Sequence, residues 1–124
     1  DDIDLYLYRV GTGGALTLVG VSAGGTSAER IDLGAPAAGT YKLYAHGWQT
    51  DGTSAVYTLF NWLVPSTAAG NMTVASSTST ATVGGTANVT VSWSGLTVGT
   101  KYLGRISYSD GSSEIGSTIV SVDS

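Results

Sequence analysis

No window of this chain carries apolar residues at the i, i+3, i+4, i+7 spacing of an amphipathic helix. Apolar and polar residues alternate instead, in short β-branched runs punctuated by glycine-rich turns. Such a period buries one face of a strand and leaves no helical stripe to bury. The expected fold is therefore all-β and antiparallel, with no regular helix. Strands are expected at Ile3–Val10, Ala15–Ser22, Glu29–Leu33, Thr40–Gly47 and Ser54–Val64, then at Asn71–Ser76, Thr86–Trp93, Thr100–Ser109 and Ile115–Val122. In the first, Ile3, Leu5 and Leu7 share one face, and Tyr6 and Tyr8 the other. Leu16, Leu18, Ile31 and Leu33 are expected to point inward. Asp51-Gly52 and Asp110-Gly111 are dipeptides that two-residue hairpin turns favour. Ser76–Ala81 reads as a loop or a solvated edge.

Composition narrows the function classes. The absence of Cys removes a disulfide scaffold, thiolate zinc and thiol catalysis. Hydrophobic residues are 42 %, too many for a disordered linker. Charged residues are only 11 %, against roughly 25 % in an average domain. Weakly charged β-chains rich in Gly, Ser and Thr are common outside cells, so the composition leaves secretion open. The net charge is −4, and Arg9, Arg30, Lys42, Lys101 and Arg105 are scattered. Nucleic acid is therefore not an expected partner, because duplex binding rests on phosphate neutralisation. No apolar run approaches the roughly 18 residues of a membrane helix. No signal-peptide pattern opens the sequence, so a mature or excised fragment is expected.

Pro65–Gly70 is the one plausible linker. It divides the chain into two small antiparallel β-sandwich-like modules, 1–64 and 71–124. Each is short beside the roughly 100 residues of a free-standing sandwich. Either the two pack on each other, or the first lacks strands that precede Asp1, which would make Ile3–Val10 an edge that the second module is expected to cover, the alternative being two copies pairing edge to edge. In the second, Trp93 alternates with Val89 and Val91 and is expected to anchor the core, so that Trp93→Ala would cost roughly 3–5 kcal/mol.

Candidate chemistry is sparse. Gly25-Thr26-Ser27-Ala28 looks like the surroundings of a subtilisin nucleophile, and His46-Gly47 like its histidine. The order is reversed, however, and the parallel sheet and helices that hold such a triad have no place in this chain. Gly11-Thr12-Gly13-Gly14 follows a strand but no helix follows it, so it lacks the means to hold a phosphate. No catalytic residue is expected. Asp1, Asp2 and Asp4 are the candidate calcium ligands, although calcium needs six to eight oxygens and no EF-hand spacing is present. No other cofactor is expected. Tyr6, Tyr8, Tyr44, Trp48 and Trp62 are the candidate binding residues: exposed on one flat face they would suit stacking on a sugar or gripping a peptide, whereas packed inward they would be core. Asn71-Met72-Thr73 and Asn88-Val89-Thr90 match the N-glycosylation pattern.

Several stretches carry a family resemblance. Asp2-Ile3-Asp4-Leu5-Tyr6-Leu7-Tyr8, Thr26-Ser27-Ala28-Glu29-Arg30-Ile31, Pro36-Ala37-Ala38-Gly39-Thr40-Tyr41 and Tyr57-Thr58-Leu59 resemble, in this order, the pre-peptidase C-terminal domain. That β-sandwich module follows the catalytic domain of many secreted bacterial peptidases. Val91-Ser92-Trp93-Ser94-Gly95-Leu96, Gly99-Thr100-Lys101-Tyr102-Leu103-Gly104 and Tyr108-Ser109-Asp110-Gly111 are similar to the fibronectin-III-like tail found after that module in subtilisin-like serine proteases. The resemblance implies a non-catalytic accessory C-terminal region, serving substrate or surface binding, secretion or stabilisation. The implied partners are the parent protease's catalytic domain and a protein substrate or cell-surface polysaccharide. The family's catalytic residues lie in another domain, so none carries over. The alternative from the residues themselves is a carbohydrate-binding or adhesive β-module.

An all-β chain should give a circular-dichroism spectrum free of the paired helical minima, and strong helical minima would contradict the period-two reading.

Overall fold

In the computed structural model, which describes residues 1–124, the alternation resolves into seven strands and no α-helix. The fold is all-β, in three small antiparallel sheets. The chain divides into two compact units, Asp1–Leu59 and Phe60–Ser124.

The first unit is a three-stranded sheet made of β1 (Asp2–Val10), β2 (Leu16–Ser22) and β3 (Tyr41–Gln49), in the order β2-β1-β3. Ile3–Val10 is thus the centre of the sheet rather than its open edge, because β2 and β3 hydrogen-bond to its two sides. A single 3-10 turn at Thr12–Gly14 joins β1 to β2. Gly13 and Gly14 both have positive φ there, 71° and 83°, which glycine adopts without steric cost.

Two expected strands of this unit do not form. Residues 29–33 run as irregular chain. The Glu29 carboxylate accepts hydrogen bonds from the Gly24 N–H at 2.8 Å and from the Ser22 hydroxyl, while Arg30 pairs with Asp32 at 2.7 and 2.9 Å. Side chains thereby tie down a segment that a ladder would otherwise have held. Ile31 still turns inward, against Gly20, as expected. Residues 54–64 are likewise irregular. The Asp51-Gly52 dipeptide does not close a hairpin: Gly52 lacks positive φ, and the Asp51 N–H donates to Asp1 Oδ1 at 2.8 Å. A type I′ turn needs positive φ at both central residues.

The second unit is built from two hairpin-type pairs, β4 (Met72–Ser76) with β5 (Val89–Trp93) and β6 (Lys101–Ser109) with β7 (Glu114–Asp123). At the β6–β7 connection Gly111 does take positive φ, 94°. Asp110 Oδ1 accepts the N–H groups of Ser112 and Ser113 at 2.8 and 2.9 Å. These bonds hold the Asp110 carboxyl below its ordinary value, the Ser113 N–H foremost. Lys101 pairs with Asp123 at 2.7 Å and Arg105 with Glu114 across the same two strands. Met72 of β4 packs against Gly104 of β6. Phe60 and Trp62 belong to this unit: the Trp62 indole N–H donates to the Lys101 carbonyl at 3.3 Å, and Lys101 Nζ lies 5.7 Å from the Phe60 ring centre. The division therefore falls ahead of Pro65.

Both units bury little. Ile3 and Ile106 are the buried apolar residues, and Leu5 and Leu7 are half-buried. Trp93 is 48 % exposed, so the core-anchor expectation is corrected: nothing packs over its outer face, and its truncation should cost less than a fully buried aromatic would. Leu16, Leu18 and Leu33, expected inward, are exposed as well. The chain exposes 9281 Å², whereas two folded monomers of half its mass would expose about 7,400 Å² together. The excess is consistent with sheets whose outer faces carry no covering layer.

A Cβ on Gly20 would lie 2.7 Å from Ile31 Cγ2, and the β-branched Ile31 has few rotamers with which to yield. Gly20→Val should lower the first unit's stability by about 1–3 kcal/mol, the usual cost of overpacking, and should shift the Ile31 methyl resonances. Denaturant unfolding and methyl spectra check both. An unchanged midpoint would mean that residues 29–33 do not lie on the sheet.

Candidate functional site

Directly opposed residues of an antiparallel pair project from the same face. The β1–β3 register sets Asp4 against His46, Tyr6 against Tyr44 and Tyr8 against Lys42. One face of the first sheet therefore carries Asp4, Tyr6 and Tyr8 from β1, and Tyr44, His46 and Trp48 from β3. Leu16 of β2 completes the lining of a shallow, open groove of about 520 Å³ along Tyr6, Tyr8, Tyr44 and His46.

The rings form edge-to-face pairs. Tyr8 and Tyr44 stand at 89° with centroids 5.6 Å apart. Tyr6 and His46 meet at 69° and 6.2 Å, and His46 and Trp48 at 65° and 6.2 Å. Such contacts suit the aromatic quadrupole, whose positive edge meets a negative face. The groove is consequently walled by crossed rings, neither the flat stacking row nor the inward-packed core that the sequence leaves open. Trp48 is 69 % exposed and Tyr44 45 %, so ring surface remains open to a ligand.

Asp4 lies among these rings, 4 % exposed. Its Oδ2 accepts the Tyr6 hydroxyl at 3.3 Å and lies 3.7 Å from His46 Nδ1. A buried carboxylate needs partners of this kind, since an uncompensated one would be costly. Tyr6 is affected in turn: burial first, then the negative charge of Asp4 and the hydrogen bond to it, raise its phenol above the ordinary 10.0.

Of the five aromatic candidates, Tyr6, Tyr8, Tyr44 and Trp48 thus share one face. Trp62 lies in the second unit, stacked on Phe60 at 5.6 Å with the ring planes 10° apart. The three calcium candidates are also separated in role. Asp1 holds Asp51 through its Oδ1 and its amino group, Asp4 is engaged by Tyr6, and Asp2 Oδ1 is buried without a hydrogen-bond partner. No group of three or more His, Asp or Glu side chains converges in a way that could hold a metal. The Ser27 hydroxyl donates to the Asp1 carbonyl at 2.8 Å, while His46 faces Asp4.

What the sequence reading missed was the Asp4–His46 pair. The sequence offers Asp4 as a calcium candidate and His46 as the echo of a subtilisin histidine, with nothing to pair the two. Alternation places each on the tyrosine face of its own strand; only the register brings them opposite. Compared with protein-family models, curated proteins and solved structures, the chain has no match.

Because folding raises the Tyr6 phenol, the stability linked to it is fully present below about pH 10 and is lost as pH rises through the higher folded value. Ultraviolet titration of the phenols should show a component above pH 10.0 that disappears in Tyr6→Phe and moves down in Asp4→Asn. A Tyr6 component at the ordinary value would contradict the hydrogen bond to Asp4.

Proposed function

We propose that the chain is a non-catalytic accessory region of an extracellular protein, and that it acts by binding. The resemblance supports a place beside the catalytic domain of a secreted subtilisin-like protease. The observation that carries the binding role is the open groove on the first sheet, lined by Tyr6, Tyr8 and Tyr44 of the expected aromatic residues, with Trp48 on the same face and the buried Asp4 held against Tyr6 and His46. A concave, mostly apolar surface with a few fixed polar groups is the usual form of a small-ligand site. The aromatic rings also favour the alternative already raised from the residues, a carbohydrate-binding or adhesive module. The two readings share the surface and differ in what covers it, a protein substrate or a polysaccharide.

The test is retention of the chain on insoluble polysaccharides and on denatured protein, with Tyr44→Ala and Trp48→Ala alongside. Both side chains are largely exposed, so the variants should fold. Wild type should be retained on one class of ligand, and each variant should bind roughly tenfold more weakly, about 1.4 kcal/mol. Equal retention of wild type and both variants would remove the groove from the binding surface. Hydrolysis of a peptide substrate that is lost in Ser27→Ala would overturn the non-catalytic reading.

A further inference from the structure

The groove's chemistry narrows its ligand further, on the reading that this face is the binding surface. Three observations bear on the choice. First, the crossed rings of Tyr8–Tyr44 and Tyr6–His46 form walls at steep angles to one another. A corner of that kind encloses a compact, rounded group better than the flat face of a sugar ring. Second, the carboxylate nearest the rings is withdrawn from solvent. Asp4 is 4 % exposed, with Oδ2 bonded to the Tyr6 hydroxyl and near His46 Nδ1. A primary ammonium or a metal ion needs an accessible anionic oxygen to replace its water, and the buried Asp4 does not offer one. The Asp4 charge still acts through space, where low exposure leaves it weakly screened. Third, the first unit holds six carboxylate side chains against three cationic ones. Lys42, the cation on this face, stands opposite Tyr8, two residue pairs beyond Tyr6–Tyr44 and four from Asp4, roughly 13 Å along the strand.

We propose that the groove binds a small quaternary ammonium compound of the choline type. Such a cation donates no conventional hydrogen bond and is held by the negative faces of aromatic rings. It needs a negative field without an exposed anionic oxygen, and crossed rings beside a buried carboxylate provide that combination. Anionic ligands are disfavoured by the same field.

The test is titration of the intact chain with choline, and separately with 3,3-dimethylbutan-1-ol, its uncharged equivalent in shape. Binding is read by calorimetry and by the upfield ring-current shift of the ligand methyl protons. Choline should bind at least tenfold more tightly than the alcohol. Tyr44→Ala should weaken choline at least fivefold, and Tyr44→Phe should restore most of the affinity. Asp4→Asn, which can still accept from the Tyr6 hydroxyl, should narrow the gap between choline and the alcohol. Equal affinity for the two ligands would overturn the proposal, as would no detectable binding at tens of millimolar choline, or choline binding that Tyr44→Ala leaves unchanged. Retention on a polysaccharide or protein that depends on Tyr44, without choline binding, would remove this ligand class and leave the binding role of the face standing.

Discussion

The pairing of β1 on both of its edges is the constraint on which the first unit depends. Few side chains in this chain are buried deeply enough to specify a fold by packing alone: Ile3 in one unit and Ile106 in the other. What fixes the first sheet is the backbone ladder from β1 to β2 and β3. With a side-chain period of two, a slip of one residue would send Asp4, Tyr6 and Tyr8 to the opposite face. The ladder therefore determines more than shape. It decides that Asp4 meets His46 and that Tyr6 meets Tyr44.

The groove follows from that register. A carboxylate placed near the start of a central strand loses water, and the neighbouring Tyr6 hydroxyl and His46 ring compensate it. The rings on the same face pack edge to face against one another, and Tyr44 and Trp48 stay open to solvent. In the second unit the strand pairs are held differently, by paired charges across β6 and β7 and by the close approach of Met72 to Gly104. That unit gathers no comparable set of rings around a buried charge.

Much of the strand pattern was legible in the sequence, because β-branched alternation and glycine turns act locally. Seven of the nine expected strands form, with ends shifted by a few residues. The two that fail, around 29–33 and 54–64, have adequate β-propensity. Around 29–33, Glu29 is held by Ser22 and Gly24; ahead of 54–64, the Asp51 N–H goes to Asp1 instead of closing a hairpin, and that partner comes near only in the folded chain. The same limit applied to the site. Alternation placed Tyr6, Tyr8 and Tyr44 on the face away from Ile3, but the partner of Asp4 and the crossed setting of the rings depend on register and rotamer. Trp93 misled for a simpler reason: a large aromatic in a small unit reads as core, yet it stays half open, while Trp62, a binding candidate, instead donates to a backbone carbonyl of the second unit.

The central claim is that β1 and β3 set one aromatic groove on one face of the first sheet. Proton–proton nuclear Overhauser measurements on the ring-labelled chain test it most directly. The account predicts cross-peaks from Tyr8 to Tyr44 and from Tyr6 to His46, whose ring centres lie 5.6 and 6.2 Å apart. Contacts that instead place Tyr6 or Tyr8 against Ile3 or Leu43, on the opposite face, would contradict it.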